Sequence, residues 1–260
     1  MTQKPRMNVL VTRPLAQAQP MIDLLQEQGF GVYHQPCLDI TPVQPNTADG
    51  LQSKQWAMNL DTFDHVIVIS TNAARFWLDL IQDYWPQWPV GIRWWSMGET
   101  TQGQLNVAGI ESDRPSTGDT SEDLLADMLP QIKAHEKVLI VRGCGGRETL
   151  YDALVATGAQ VSYAQCYKRT QPQISNESLL HLGRFAPQAV VLQSGETLAN
   201  FNQLLADQVW CDKQNIILVV PSERVAAQGR LLGFQKVYSS NGASNQTICD
   251  TLLQQSELFG

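Results

Sequence analysis

Short apolar runs alternate along the chain with stretches in which apolar residues recur every three or four positions, a pattern that predicts strands and helices in turn. The clearest unit is Lys137–Thr170, KVLIVRGCGGRETLYDALVATGAQVSYAQCYKRT. Val138 to Val141 reads as a buried parallel strand, and Gly143, Gly145 and Gly146 free the backbone to turn at its carboxyl end. Leu150, Leu154 and Val155 follow at helical spacing, Gly158 stops the helix, and Val161 to Tyr167 restarts an extended segment.

The same alternation runs through the rest of the chain. Asn8 to Thr12 predicts a strand, Pro14 the first turn of a helix carrying Met21, Ile22, Leu24 and Leu25, and Val32 to Gln35 a second strand. PCLDITPVQP, with Pro36, Pro42 and Pro45, reads as an extended connector rather than a packed element. His65 to Ser70 and Trp94 to Met97 are expected strands, each followed by a helix, Asn72 to Ile81 and Thr100 to Val107. Ser121 is a candidate cap for a helix bearing Leu124, Leu125 and Met128. Beyond a second extended connector, Lys168 to Gln173, strands are expected at Ala189 to Gln193, Asn215 to Val220 and Lys236 to Tyr238. Helices are expected at Glu196 to Leu205, Glu223 to Leu232 and Asn245 to Leu253.

The organising unit also repeats the amino terminus at a shift of 129 positions. Val9, Leu10, Arg13, Leu25, Gly29, Val32 and Cys37 fall on Val138, Leu139, Arg142, Leu154, Gly158, Val161 and Cys166. Seven matches in order on a shared βαβ pattern indicate one architecture used twice. If the first half keeps only two strands before its connector, the carboxyl-terminal third must complete its sheet. The expected organisation is a discontinuous first domain, 1–38 plus 172–260, and an inserted second domain, 44–166. Connectors 39–43 and 167–171 would lie side by side as a hinge.

With 260 residues, 43% of them apolar, the chain can supply a core to each half. Its net charge of −7 argues against a general attraction to nucleic acid or to an anionic membrane, so an anionic ligand must be held by local geometry. Five cysteines without a CxxC pair point to reduced thiols in a cytosolic protein, and four scattered histidines to no metal site. The apolar run after MTQKPRM is too short for a signal-peptide core, and no window approaches the roughly 20 apolar residues of a membrane span. A soluble, cytoplasmic protein is expected.

In open parallel sheets ligands bind beyond the carboxyl ends of the strands, where helix amino termini expose unpaired amides. Polar turns fall at such points: Thr12-Arg13, Ser70-Thr71-Asn72, Gly98-Glu99-Thr100-Thr101, Arg142-Gly143, Ser194-Gly195 and Ser222-Glu223. Around two facing sheets they would line a cleft with donors suited to several carboxylates or phosphates, although Ser and Thr at such positions also serve simply as helix caps. RGCGGRE fails as a dinucleotide fingerprint because Glu148 occupies the third glycine position. It fits a tight turn flanked by Arg142 and Arg147. No GxxxxGK[ST] or GxSxG occurs. Tyr167, where the repeat ends and the return connector begins, is placed to face the cleft, either as a phenol able to give a proton to a departing oxygen or as a tyrosine packed at the hinge.

The carrying motifs are VLVTRP at 9–14, SMGETT at 96–101, IVRGCGGRE at 140–148, QCYKR at 165–169, VLQSGE at 191–196 and LVVPSERVA at 218–226. Taken together and in this order, they make the chain resemble the uroporphyrinogen-III synthase family, its gammaproteobacterial form especially. The resemblance implies an α/β fold of two flavodoxin-like parallel-sheet domains joined by a two-stranded β-ladder, the first domain discontinuous. It implies cofactor-free dehydration and closure of hydroxymethylbilane, a linear tetrapyrrole polycarboxylate, with ring D inverted through a spiro intermediate. By carry-over Tyr167 is the proton donor to the leaving hydroxyl, Thr101 the hydroxyl of a GxxT turn, and Ser70, Thr71, Ser194 and Ser222 members of carboxylate-binding turns. PSER at 221–224 departs from the glycine and paired threonines of the family's corresponding turn. The small-molecule substrate is the expected partner, the chain a monomer in transient contact with hydroxymethylbilane synthase, with no nucleic acid or membrane involved. The candidate site is thus Tyr167 with Arg13, Ser70, Thr71, Asn72, Gly98, Thr101, Arg142, Gly143, Ser194, Gly195 and Ser222. Two lobes and two connectors describe a hinge-bending anion-binding or sensor protein equally well, and a two-lobed glycosyltransferase less well.

Overall fold

The apolar runs become parallel strands buried on both faces, and the amphipathic stretches become the helices that cover them. A computed structural model describes residues 5–205 and 212–257. Cys211 and the start of the expected basic tip lie outside these. The first elements are β1 (Asn8–Val11), α1 (Leu15–Glu27), β2 (Gly31–His34), β3 (Asp39–Pro42) and α2 (Ala48–Met58). Next come β4 (His65–Val68), α3 (Thr71–Ile81), β5 (Arg93–Ser96), α4 (Glu99–Val107), β6 (Ser112–Asp113), α5 (Ser121–Met128), β7 (Lys137–Gly143), α6 (Thr149–Ala156) and β8 (Gln160–Thr170). The chain ends with α7 (Asn176–Phe185), β9 (Ala189–Val191), α8 (Gly195–Leu204), β10 (Ile217–Val220), α9 (Glu223–Leu231), β11 (Lys236–Ser239) and α10 (Asn245–Glu257).

The chain divides into two units, Met1–Asp39 with Thr170–Gly260, and Ile40–Arg169. In the first the strands run parallel in the order β2-β1-β9-β10-β11, the flavodoxin-like arrangement. Val9, Val11, Val191 and Val219 face α1 and α10 through Met21, Leu25, Ile248 and Leu252, while Leu10, Val190, Leu192 and Leu218 face the opposite side through Phe201 and Phe234. In the second unit the parallel order is β8-β7-β4-β5-β6, with β3 added outside β8. Trp77, Leu105 and Leu139 fill one face, and Trp95, Leu124 and Ile140 the other. Burial on both faces is why these strands read as continuous apolar runs rather than as alternation.

The two sheets are one spatial arrangement reached by different chain orders. β1 and β7, the repeat-related first strands, occupy the same place in each, with β2 and β8 beside them. The repeat continues at a second shift: α4 (Glu99–Val107) and α9 (Glu223–Leu231) begin and end 124 positions apart, and Glu99 and Gln104 are matched by Glu223 and Gln228. The first half of the sequence therefore gives β1 and β2 to one unit and β4, β5 and β6 to the other, and the second half completes both. This exchange makes the first unit discontinuous.

Several expectations change. PCLDITPVQP is packed, with Cys37, Leu38 and Val43 buried and the Val43 amide donating to the Cys166 carbonyl beside β8. Pro42 is tolerated because β3 lies at a sheet edge. The second connector begins as strand, since β8 runs on to Thr170. Helices α2 and α7 lie in stretches for which the sequence reading gave no element. Thr120, not Ser121, caps α5, in a reciprocal capping box with Asp123 whose bonds to Thr120 hold that carboxyl below its ordinary range. No described helix is long and apolar enough to cross a membrane.

Candidate active site

In the second unit, the turn after β4 sets the first wall. Ser70 is extended and caps α3, its Oγ accepting the Ala73 amide at 3.1 Å, and half-buried Thr71 and Asn72 form the first helical turn. Gly98 caps α4, whose first turn buries Thr101. On β8, Tyr167 is only 7% exposed, stacks on Phe76 with ring centroids 5.7 Å apart, and holds its hydroxyl 3.3 Å from Ser70 Oγ. Gly143 makes room for that ring: a Cβ there would stand 2.6 Å from Tyr167 Cε2 and Cζ. Gly143→Ala should push the ring aside, cost about 1–3 kcal/mol by overpacking, and lower turnover. Urea melts and steady-state kinetics on one preparation check both effects.

A pocket of ≈ 350 Å³ opens beside this phenol, bounded by Arg142, Gly143, Tyr163, Tyr167, Arg169 and the start of α5. It unites Tyr167, Arg142 and Gly143. Ser70 reaches it through the Tyr167 hydroxyl, whereas Thr71, Asn72, Gly98 and Thr101 are not among its described walls.

Arg142 is buried and turned into its own loop. Its guanidinium donates to the carbonyls of Gly145 and Arg147, the latter at 3.2 Å, lies 3.4 Å from Glu148 Oε1, and sits 4.8 Å from the centroid of the Tyr163 ring. Glu148 in turn accepts the Tyr163 hydroxyl. Burial, reinforced by that carboxylate, pushes the Tyr163 phenol above its ordinary value and keeps it protonated. Tyr163, Glu148, Phe76 and Arg169 were not among the expected site residues. Tyr163 lies four positions before Tyr167, but a register shift in β8 opposite Arg142 and Gly143 breaks the two-residue period, so Tyr163 packs on the Ile140 side of the sheet and Tyr167 on the Leu139 side.

The first unit carries related parts. Arg13, at the end of β1 as Arg142 is at the end of β7, donates to Gln193 Oε1 at 3.1 Å and to the Ala243 carbonyl at 3.2 Å; burial lowers its pKa. Ser194 and Thr197 cap α8 reciprocally, with Gly195 in its first turn. Ser222 is the extended cap of α9 and makes no side-chain cap bond, so the altered PSER turn leaves its hydroxyl without that duty. Arg13, Ser194 and Gly195 gather around Gln193, while Ser222 stands on the next turn.

A family model described as "Uroporphyrinogen-III synthase HemD" matches residues 19–249. The chain belongs to the uroporphyrinogen-III synthase family. It is 30% identical over 255 residues to the uroporphyrinogen-III synthase of Escherichia coli (strain K12), covering 95% of this chain and all of that one. The Salmonella typhimurium enzyme of the same name matches to the same extent. Two uroporphyrinogen III synthase structures share the fold. The Helicobacter pylori structure has a TM-score of 0.60 at 11% identity, covering 96% of this chain and 99% of that one. A mutant from the extreme thermophile Thermus thermophilus has 0.58 at 13% identity, covering 98% and 100%. The resemblance carried by VLVTRP, SMGETT and the later motifs thus extends over nearly the whole chain.

Proposed function

We propose that this chain is a lyase that dehydrates and cyclises hydroxymethylbilane to uroporphyrinogen III without a cofactor, acting in the cytoplasm as a monomer. Family membership supports the activity. The observation that supports the chemistry is the Tyr167 phenol, fixed between Phe76 and Gly143, hydrogen-bonded at 3.3 Å to Ser70, and lining a pocket flanked by arginines.

In this reading Tyr167 gives its proton to the hydroxyl of the bilane as the C–O bond breaks, and the bonding pair leaves with the oxygen as water. The nitrogen lone pair of the adjoining pyrrole makes good the lost electrons, so little acid strength is needed. Ring D attacks through its substituted carbon to give a spiro intermediate; the older bond from that carbon to the methylene of ring C then breaks, its pair returning to ring D and the ring C nitrogen stabilising the cationic methylene, onto which the other α-carbon of ring D closes. The proton released as that ring regains aromaticity restores the phenol. Such a reaction asks mainly for positioning, since the pyrroles supply the electrons. The substrate's four acetate and four propionate arms explain how a chain of net charge −7 serves it: binding must come from local donors, and the sheet ends provide them. Segments 39–43 and 167–171 serve as the connectors between domains, and a transient contact with hydroxymethylbilane synthase would shorten the life of the unstable bilane in solution.

The test is to incubate the protein with freshly made hydroxymethylbilane and separate the isomers after oxidation. The type III isomer is expected. Type I alone, the outcome of spontaneous closure, would contradict the assignment.

A further inference from the structure

Strand β8 does not keep its two-residue period to the end. Tyr163 packs on the Ile140 side of the sheet and Ala164 on the Leu139 side, so an unbroken alternation would place Cys166 on the Leu139 side and Tyr167 back beside Tyr163. Instead Cys166 and Tyr167 both pack on the Leu139 side. Arg142 pairs with Gln165 but Gly143 pairs with Tyr167, which leaves Cys166 as an extra residue in β8. A bulge of this kind re-aims a side chain. Here it turns the phenol onto Phe76 and Ser70.

A bulge disrupts its ladder, so the backbone around it needs other partners. The Tyr167 carbonyl accepts the Cys144 amide at 2.8 Å and the Cys166 carbonyl the Val43 amide at 3.0 Å. The Gln165 carbonyl accepts Ser53 Oγ at 3.1 Å. Ser53 is only 2% exposed in the middle of α2, and Gly50, one turn before it, lets that helix seat closely: a Cβ there would stand 2.1 Å from the Gln44 carbonyl oxygen. Half-buried Asp49, on the first turn of α2, accepts the Gln165 side-chain amide at 3.2 Å and the Cys144 thiol at 3.6 Å. Burial, reinforced by that carboxylate, pushes the thiol above its ordinary value and keeps it protonated. Helix α2 therefore grips the bulge at Gln165 and also the turn opposite it at Cys144.

We propose that Ser53 and Asp49 are positioning residues that clamp the Gln165–Cys166 bulge and so aim the Tyr167 hydroxyl. Neither is among the described walls of the pocket beside Tyr167, so each acts through the phenol. The expected effect on rate rests on reading Tyr167 as the proton donor; the clamp itself does not.

Ser53→Ala should lower kcat about fivefold, since a small displacement of the acid suffices for that, while KM stays within about twofold, as for a contact felt only in the transition state. Ser53→Thr, which keeps the hydroxyl, should recover most of the rate. A double-mutant cycle discriminates. In a Tyr167→Phe background, Ser53→Ala should change kcat by less than about twofold, because the group through which Ser53 acts is already gone. A residue that merely supports the fold would lower both backgrounds alike. Asp49→Ala should behave in the same way with a loss of about threefold, and Asp49→Asn, which keeps an acceptor for Gln165, should recover most of it. This pair decides the matter if Ser53→Ala does not fold. A second readout needs no turnover: fluorine NMR of protein labelled with meta-fluorotyrosine, the Tyr167 signal being assigned by its loss in Tyr167→Phe. Ser53→Ala or Asp49→Ala should move or broaden that signal, and Ser53→Thr should return it. Equal losses in the two backgrounds, a change in KM at constant kcat, or a Tyr167 signal unmoved in every folded variant would overturn the proposal. Should Tyr167→Phe itself leave the rate unchanged, the proton-donor reading fails instead, and the fluorine signal alone decides whether the clamp aims the ring.

Discussion

Tyr167→Phe is expected to lower turnover by at least about tenfold while the protein melts close to the wild-type temperature. The ring keeps its stacking on Phe76 and its seat against Gly143, so the substitution removes the hydroxyl and little else. The lost contact with Ser70 is a hydrogen bond of ordinary length, with a net worth of about 1 kcal/mol. A general acid commonly contributes a factor of about 10²–10⁴, but a pyrrole that expels hydroxide readily reduces the demand, and the lower bound follows from that. Initial rates in a coupled assay that generates hydroxymethylbilane in place, with a thermal melt alongside, check it. An unchanged rate would remove the proton-donor role from Tyr167.

Trp77→Ala should destabilise the second unit by about 3–5 kcal/mol, the usual cost of emptying a large buried aromatic site. Trp77 is fully buried on α3, the helix that carries the Ser70 cap at its start and Phe76 on its first turns. Loss of its packing would loosen both neighbours of Tyr167, so activity should fall at temperatures where the wild type is still folded. The indole Nε1 is buried without an acceptor, a cost already present in the native protein. Trp77→Phe removes that unmet donor along with part of the volume and should therefore cost much less than Trp77→Ala. Urea denaturation followed by circular dichroism separates the two. Equal losses would mean that the indole nitrogen has a partner in solution.

What the sequence made legible follows from where burial leaves a periodic mark. Strands β1, β4, β7, β9 and β10 are buried on both faces and stood out as apolar runs, and α3 stood out by Ala73, Phe76, Trp77 and Leu80, although the residues it buries are Ala73, Ala74, Trp77 and Ile81. Helix α2 did not, because the residues it buries are small, Gly50, Ser53 and Ala57, while Leu51 is exposed. Helix α7 buries Leu182 and leaves Leu180 exposed, so its apolar residues do not trace one face. Strand β6 is only Ser112 and Asp113, with no apolar mark to read. The repeat was visible over β1-α1-β2, where identities survive. Later elements align at a different shift, 124 positions, where Val66 and Val190, Ser70 and Ser194, Glu99 and Glu223, and Gly109 and Gly233 are identical and Trp77 stands for Phe201, so a single shift of 129 does not reveal them.

The site was legible to the extent that it depends on position along a strand. Turns after parallel strands are where donors gather, and Ser70, Gly143 and Arg142 were named by that rule, while Tyr167 was named from its place where the repeat ends and the return connector begins. The direction of a side chain was not legible. Arg142 reads as a cation at a strand end, and only its contacts with Gly145, Arg147 and Glu148 reveal that the charge is turned into the loop. Tyr163 and Glu148 were passed over because a hydrogen bond between residues 15 positions apart leaves no periodic trace.

The central claim is that amides and hydroxyls at these sheet ends hold a polycarboxylate with its reacting carbon beside Tyr167. A crystal structure with the tetrapyrrole product bound under anaerobic conditions tests it most directly. The account predicts carboxylate oxygens at about 3 Å from amides and hydroxyls at these sheet ends, and the Tyr167 hydroxyl facing the bridging carbon that carried the departing oxygen. A product held elsewhere, with the pocket beside Tyr167 filled by solvent alone, would contradict it.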